Sequence, residues 1–349
     1  MIKQKVIVGM SGGVDSSVAA YLLLKKGYEV VGVTMQTGSD AGGDAVISDA
    51  RHICKQLGIE HIVLDFTAEF DKYVKAYFVE EYLRGHTPNP CTVCNHYVKW
   101  QALLDRFDEL GADYVATGHY ANIVKLDNGR YALKTADSMK DQTYALYRLT
   151  QSQLAKTMMP LGSYDKSQVR EIAKEAGLDV FDKPDSMEIC FIPDHDYAKY
   201  IEEYTGKEIP EGNFVTPDGS VVGTHKGITH YTVGQRKGLG IAFGKPMFVS
   251  EIRPETNEVV LSEGNEVFRD ELIAEDINAM AVENLRDENG IKARAKVRYS
   301  NRTAPCTIYP YGETGIRVKF DENVRAITPG QSVVFYDDEG IVIGGGVIQ

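Results

Sequence analysis

Val6-Ile7-Val8-Gly9-Met10-Ser11-Gly12-Gly13-Val14-Asp15-Ser16 is the stretch from which the rest of the chain can be read. Three apolar β-formers run into a glycine turn. Beyond it Val14, Val18 and Leu22 recur at helical spacing until Gly27 stops them. A strand that enters a helix through two adjacent glycines can turn tightly and bring several backbone N–H groups together. The helix N-terminus adds about half a positive charge. Ser11 and Ser16 add hydroxyl donors. Such a turn can cradle a phosphate, which makes Gly9, Met10, Ser11, Gly12, Gly13, Val14, Asp15 and Ser16 the candidate anion-binding residues. The loop lacks the Gly-Lys-Ser/Thr ending of Walker A and the spacing of the dinucleotide fingerprint. Position alone also fits a plain glycine turn with a serine cap.

Working outward, Glu29-Val30-Val31-Gly32-Val33 reads as a second strand. A helix near 48–57 follows, with Ala50, Ile53, Cys54 and Leu57 on one face, and then a third strand over 61–65. Phe70, Val74 and Phe78 mark a longer helix. Trp100, Leu104, Phe107 and Leu110 mark another, closed by Gly111 before a strand over 113–117. This alternation predicts an α/β doubly wound parallel sheet, with ligands beyond the carboxyl ends of its strands. A hairpin is expected over 122–135 around Asp127-Asn128-Gly129, and a helix over 167–176 with Val169, Ile172, Ala173 and Ala176 inward. Beyond about residue 205 the helical signal gives way to short alternating runs between Asp-Gly turns. The expected domains are therefore a nucleotide-binding domain over 1–205 and two smaller β-rich ones, over 206–270 and 271–349, the last barrel-like.

Of the 349 residues, 43% are hydrophobic and 25% charged, which excludes a disordered or collagen-like chain. No apolar run is long enough to span a membrane. The first apolar run is too short for the core of a signal peptide, so the expected location is cytoplasmic. Five cysteines, an odd number, argue against a structural disulfide framework.

Cys54 falls on the inward face of a helix and Cys306 in a short β run, and both read as small buried hydrophobes. Cys91 and Cys94 form C-x-x-C in Thr87-Pro88-Asn89-Pro90-Cys91-Thr92-Val93-Cys94-Asn95. Prolines 88 and 90 predict an extended, exposed loop there. The pattern suits zinc or thiol redox chemistry, yet no second ligand pair closes a zinc site, and a phosphate loop precedes it. Cys190 follows the polar stretch Lys183-Pro184-Asp185-Ser186-Met187-Glu188 and is flanked by Ile189 and Phe191, so a buried structural thiol is an alternative there.

The hexapeptide Ser11-Gly12-Gly13-Val14-Asp15-Ser16 resembles the pyrophosphatase (PP) loop of enzymes that cleave ATP between its α and β phosphates to adenylate a substrate. Further segments follow in order: Thr117-Gly118-His119-Tyr120, Lys140-Asp141-Gln142-Thr143-Tyr144, the Cys190 stretch, and residues 230–240, His-Tyr-Thr-Val-Gly-Gln-Arg-Lys-Gly-Leu-Gly. Together with the Cys91–Cys94 loop, they make nearly the whole chain similar to the tRNA-uridine 2-sulfurtransferase (2-thiouridylase, MnmA-like) family. That resemblance implies a PP-loop ATPase-type domain, ATP with Mg2+ as cofactors, and a tRNA with a wobble uridine as partner. A sulfur donor is implied as well, either a cysteine desulfurase or a sulfur-relay protein.

By the same resemblance ATP adenylates the uridine O2, a cysteine persulfide delivers sulfur, and AMP and pyrophosphate leave. Cys190 would carry the persulfide. Cys94 would be the second catalytic thiol, closing a disulfide with Cys190 or assisting protonation. Met35 and Gly118 match positions that contact ATP, and Asn89, Pro90 and Cys91 the loop around the target base. His119, Asp141, Gln142, Thr143, Tyr299, Ser300 and Gln331 match positions that contact tRNA. One common form of the family carries Asp where this chain has Cys91. Cys91, Cys94 and Cys190 could therefore ligate a [4Fe–4S] cluster with one iron open, as an alternative route.

The net charge of −12 counts against a nucleic-acid partner unless cations are gathered locally. Alternation puts Lys292, Arg294, Lys296 and Arg298 on one face of a strand, with Ala293, Ala295, Val297 and Tyr299 on the other. Such a face can follow a phosphate backbone; a solvated barrel face reads the same way. Two rival functions remain: an adenylating PP-loop ligase acting on a small molecule, and a non-enzymatic ATP-gated RNA-binding or sulfur-carrier protein.

Overall fold

The computed structural model describes residues 3–38, 43–183, 189–241, 244–299 and 302–349. Two compact units emerge. The first comprises Met1–Val74, Cys91–Pro193 and Glu339–Val342, and the second Lys75–Pro90, Asp194–Asp338 and Ile343–Gln349.

The first unit is built on β1 (Lys5–Gly9), β2 (Glu29–Gln36), β3 (Glu60–Asp65), β4 (Tyr114–Ala116), a hairpin of β5 (Asn122–Lys125) and β6 (Tyr131–Lys134), and β7 (Thr157–Met158). The sheet runs β3-β2-β1-β4-β7 with every pairing parallel. Val6, Ile7 and Val8 are wholly buried, which is why the central strand reads as an unbroken apolar run rather than an alternating one. The Val14–Lys25 helix lays Val14, Val18 and Ala19 on this core, and the Lys166–Glu175 helix adds Val169 and Ala173 to the same cluster. An Asp165–Gln168 capping box starts the latter helix, one residue earlier than its apolar spacing predicts.

The sequence reading fails most clearly around Pro90, where the chain passes from the second unit to the first. Residues 87–95 were expected to be an extended loop, but helical structure begins at Pro90, as Pro90–Val93, and continues as a π-helical segment over Cys94–Ala102. Proline is disfavoured within helices but preorganised for the first helical position, and that preference wins here. Trp100, expected on an ordinary α-helix, lies on the π-helical segment with its indole N–H donating to Thr157 Oγ1 at 2.7 Å. Apolar spacing does not separate the two helix types.

The second unit holds two β systems. In the first, β8 (Gly212–Val215), β9 (Val221–His225), β10 (Met247–Arg253) and β11 (Glu258–Glu263) form a sheet in the order β10-β11-β8-β9. Its core is Phe214, Tyr231, Leu239, Val249 and Leu261, so the motif at 230–240 supplies packing residues. In the second, β12 (Phe268–Ala279), β13 (Ile291–Lys296), β14 (Ala304–Tyr311), β15 (Gly315–Arg325), β16 (Ser332–Tyr336) and β17 (Val342–Ile348) close a barrel in the order β12-β15-β14-β13-β16-β17. The fold class is thus the expected one: a parallel-sheet nucleotide domain followed by β-rich structure ending in a barrel.

Candidate functional site

The phosphate loop lies at the carboxyl end of β1, where β2 flanks one side and β4 the other. Gly12 has φ of +65°, and a Cβ there would come within 2.6 Å of Asp49 Cβ, so only glycine fits. Gly13 differs. Its φ is −101°, and an added Cβ would meet only Ser11 Oγ, at 3.4 Å. Gly13 N-caps the Val14–Lys25 helix without any side-chain capping bond. Its carbonyl accepts from Ser16 Oγ at 3.1 Å and Ser17 Oγ at 2.8 Å, while Ser16 Oγ accepts from Ser11 N–H at 3.3 Å. The hydroxyls hold the turn and leave the first helical N–H groups uncapped, as an anion site requires.

The other residues expected at the nucleotide converge on this loop. Met35 Cε stands 3.8 Å from where a Gly9 Cβ would be. A Cβ on Gly118 would strike the Asp15 and Ser16 backbone at 2.6 Å, so this glycine allows the strand end after β4 to lie directly against the loop. Thr34 Oγ1 donates to Met10 O at 3.0 Å and also lies 2.8 Å from His61 Nε2, tying the start of the loop to β2 and β3.

Three residues at the loop were given no role by the sequence, although Tyr120 and Lys183 stand within quoted motifs. Buried Tyr120 donates its hydroxyl to Asp15 Oδ1 at 2.7 Å. Lys166 Nζ sits 2.8 Å from both Asp15 carboxylate oxygens. Lys183 Nζ donates to Gly12 O at 3.0 Å and to Asp49 Oδ2 at 2.6 Å. Lys166 opens a helix, where the macrodipole disfavours a cation; the Asp15 carboxylate compensates. None of these partnerships leaves a local sequence signal, since each spans more than 100 residues.

The thiols form the second part of the site. All five cysteines are free, with Cys54 and Cys306 buried as expected, Cys91 and Cys190 exposed, and Cys94 half-buried. Surrounding protein raises the Cys94 thiol to about 12, and Lys99 opposes that rise. Cys190 and Cys91 add to it, so the three thiols lie near enough to feel one another's charge. Desolvation likewise raises Cys91 and Cys190 against the same Lys99, even though solvent reaches both. Lys99 follows Cys94 by five residues, about one turn of the π-helical segment, and is a further residue the sequence reading passed over. Among the described residues no group of three or more His, Cys, Asp or Glu side chains is arranged to hold a metal ion. The donor chemistry of Cys91, Cys94 and Cys190 suits an iron–sulfur cluster, but their arrangement here does not form its ligand set.

His119 lies against Trp100, with ring centroids 5.7 Å apart and Nδ1 2.8 Å from Thr117 Oγ1. Burial and Lys99 lower its pKa to about 3, so the ring is neutral at physiological pH. Residues 141–143 spend their side chains internally. Asp141 accepts from Ala136 N–H and Thr143 Oγ1, Thr143 is buried, and Gln142 Oε1 accepts from Tyr120 N–H at 2.9 Å. Gln142 thereby fixes the residue whose hydroxyl holds Asp15.

In the second unit, Gln331 Nε2 donates to Thr87 O at 2.6 Å, and Thr87 N–H donates to Pro329 O, anchoring the approach to half-buried Asn89 and buried Pro90. Tyr299 is exposed, with Lys296 Nζ 5.5 Å above its ring, whereas alternation had put it on the apolar face; β13 ends at Lys296. Arg298 is committed to Val233 O and Thr328 Oγ1, so it does not extend a cationic face with Lys292, Arg294 and Lys296. Ser300 lies outside the described residues, as do 184–188 of the Cys190 stretch.

The sheet order and the uncapped loop define an α/β domain of the nucleotide-binding type. The family model that matches residues 4–194 is described as tRNA methyl transferase HUP domain. A PRC-barrel model of the same name follows over 198–263, and an aminomethyltransferase beta-barrel model over 269–348. Full-length relatives are more specific. The chain is 56% identical to the tRNA-specific 2-thiouridylase MnmA of Lachnoclostridium phytofermentans over 99% of both chains. It is 51% identical to that of Clostridioides difficile, over 100% of this chain and 99% of the other. The chain belongs to the tRNA-specific 2-thiouridylase family, and it is an enzyme, a sulfurtransferase. Among solved structures, the U34-tRNA thiolase NcsA from Methanococcus maripaludis with its [4Fe-4S] cluster is 23% identical over 58% of this chain and 68% of that one, at a TM-score of 0.37. That likeness is too loose to bear on mechanism. No helix among the described residues is long and apolar enough to cross a membrane.

Proposed function

We propose that this enzyme 2-thiolates the wobble uridine of tRNA at the expense of ATP, in the cytoplasm. The observation that carries the reading is that one compact unit holds both an uncapped phosphate loop and three thiols within electrostatic reach of one another. The loop takes the β and γ phosphates of ATP, supplied with Mg2+, while the uridine O2 attacks the α-phosphorus. Pyrophosphate leaves, and the O2 becomes part of a good leaving group. A persulfide on Cys190, loaded by a cysteine desulfurase or sulfur-relay protein, attacks C2 through its terminal sulfur, and AMP carries the oxygen away. The remaining S–S bond to Cys190 must then break. Attack on the Cys190 sulfur by Cys94, as the thiolate that Lys99 favours against burial, does this. The Cys94 proton passes to the departing sulfur, leaving a Cys94–Cys190 disulfide and the thiolated base, and an external reductant then restores both thiols. In the other role Cys94 donates a proton and the S–S bond is reduced from outside.

Asn89, Pro90, Cys91, His119, Tyr299 and Ser300 remain the proposed tRNA-contacting set, with Asp141, Gln142, Thr143 and Gln331 beside them. The internal bonds of Asp141, Gln142, Thr143 and Gln331 favour positioning over direct contact for those four. The division at 1–205, 206–270 and 271–349 goes with this reading. The test is incubation with Mg-ATP, a sulfur source and unmodified tRNA, resolved on a mercury-containing gel that retards thiolated RNA. An ATP-dependent retarded band is expected. Its absence, in protein that binds ATP and releases AMP on adding a small-molecule acceptor instead, would favour the small-molecule ligase.

A further inference from the structure

The phosphate loop contains no lysine, so any ammonium group that meets a phosphate there is brought from elsewhere in the fold. Among the described residues two lysine ammonium groups reach the loop, and they are held differently. Lys166 is 16% exposed and contacts both oxygens of Asp15, which Tyr120 also binds, so it is locked into positioning that carboxylate. The Lys183 side chain is 39% exposed and its partner Asp49 47% exposed; its other contact is the neutral carbonyl of Gly12. A solvated pair of this kind holds weakly and is easily exchanged. An incoming phosphate offers the ammonium a denser charge at the same loop, and charge-assisted bonds to phosphate are among the stronger ones.

We propose that Lys183 is the phosphate-binding cation of this site, exchanging Asp49 for the β and γ phosphates of bound ATP. Lys183 begins the stretch that reaches Cys190 seven residues later. The residue that detects the nucleotide's phosphates therefore stands at the root of the segment bearing the proposed sulfur carrier. This rests on the loop being the ATP site.

The experiment measures dissociation constants of ATP and AMP by calorimetry for the full-length chain and for Lys183→Gln, Lys183→Arg and Asp49→Asn, with thermal unfolding alongside. Lys183→Gln should weaken ATP by about tenfold or more and AMP by less than about twofold, since AMP lacks the phosphates concerned. Lys183→Arg should recover most of the loss. Asp49→Asn should bind ATP at least as tightly as the parent chain, because it releases the ammonium. Equal losses for ATP and AMP, unchanged ATP binding in Lys183→Gln, or weakened binding in Asp49→Asn would each overturn the assignment. A parent chain that binds neither nucleotide would overturn the ATP reading of the loop as well.

Discussion

The phosphate loop and the thiols serve one proposed reaction but are assembled in opposite ways. The loop is a single contiguous stretch whose conformation is set by its own residues: Gly12 at positive φ, and Gly13 receiving the Ser16 and Ser17 hydroxyls. The thiols come from two segments about 100 residues apart, one on a helical turn that opens at Pro90 and the other in a stretch beginning at Lys183. Binding a phosphate needs converging N–H groups, which a local turn supplies. Moving sulfur needs reactive side chains facing one another, which only tertiary structure supplies. The two halves should therefore fail differently when altered.

The largest expected effect is at the thiols. Cys190→Ser should abolish thiolation, a loss of at least about 1,000-fold, because no other group on that segment can carry a sulfane sulfur. ATP affinity should stay within about twofold, since the loop is built without that residue. Retained thiolation, followed on the mercury gel, would remove Cys190 from both the persulfide and the cluster routes. Lost ATP binding would erase the separation drawn between the two halves.

Gly13→Ala attacks the other half. The added Cβ meets only Ser11 Oγ, at 3.4 Å, and the backbone φ is one that alanine adopts, so unfolding temperature should hardly move. The methyl group would occupy the space where a phosphate approaches the backbone, and ATP should bind at least about tenfold more weakly, or about 1.4 kcal/mol. An unchanged dissociation constant would mean that the anion site lies elsewhere. Gly12→Ala is the contrasting variant: its Cβ collides with Asp49, so it should lower stability as well as binding.

These two halves also differ in how far the sequence alone discloses them. The strand–loop–helix unit and the parallel sheet were legible because apolar periodicity and glycine placement are local. Cys91, Cys94 and Cys190 were legible as residues, but their surroundings were not. Pro90 argued for extension and instead opened a helix. The spacing around Trp100 fits α and π segments alike. Lys99, Tyr120, Lys166 and Lys183 were invisible as site residues because isolated charges and hydroxyls gain meaning only from neighbours brought from far along the chain. Alternation gave Arg298 to a cationic face, yet hydrogen bonding turned it to Val233 O and Thr328.

Tyr120→Phe measures how far the loop's local design depends on such distant partners. The hydroxyl lost is one bound to a carboxylate, and bonds to charged groups contribute about 1.5–3 kcal/mol. Lys166 still holds Asp15 in the variant, so the lower end applies. AMP formation should fall about tenfold with the sheet intact. A normal rate would show that Lys166 alone positions Asp15.

The smallest effect is expected at Cys91, and it sharpens what the thiol half is. In the persulfide route Cys91 lines the base-binding loop without bonding to sulfur, so Cys91→Ser replaces one small side chain by another at an exposed position. Surface changes of that kind stay within about 0.5 kcal/mol, and turnover should remain within about threefold. Were the three thiols the ligands of a cluster, the same variant would lose one of three protein ligands and nearly all activity. Anaerobically prepared parent chain would then contain iron, and the variant would not. The described residues do not form a metal-binding group. A mild Cys91→Ser phenotype in iron-free protein would leave Cys94 and Cys190 as the working pair, whereas a severe one with matching loss of iron would assign all three thiols to a cluster.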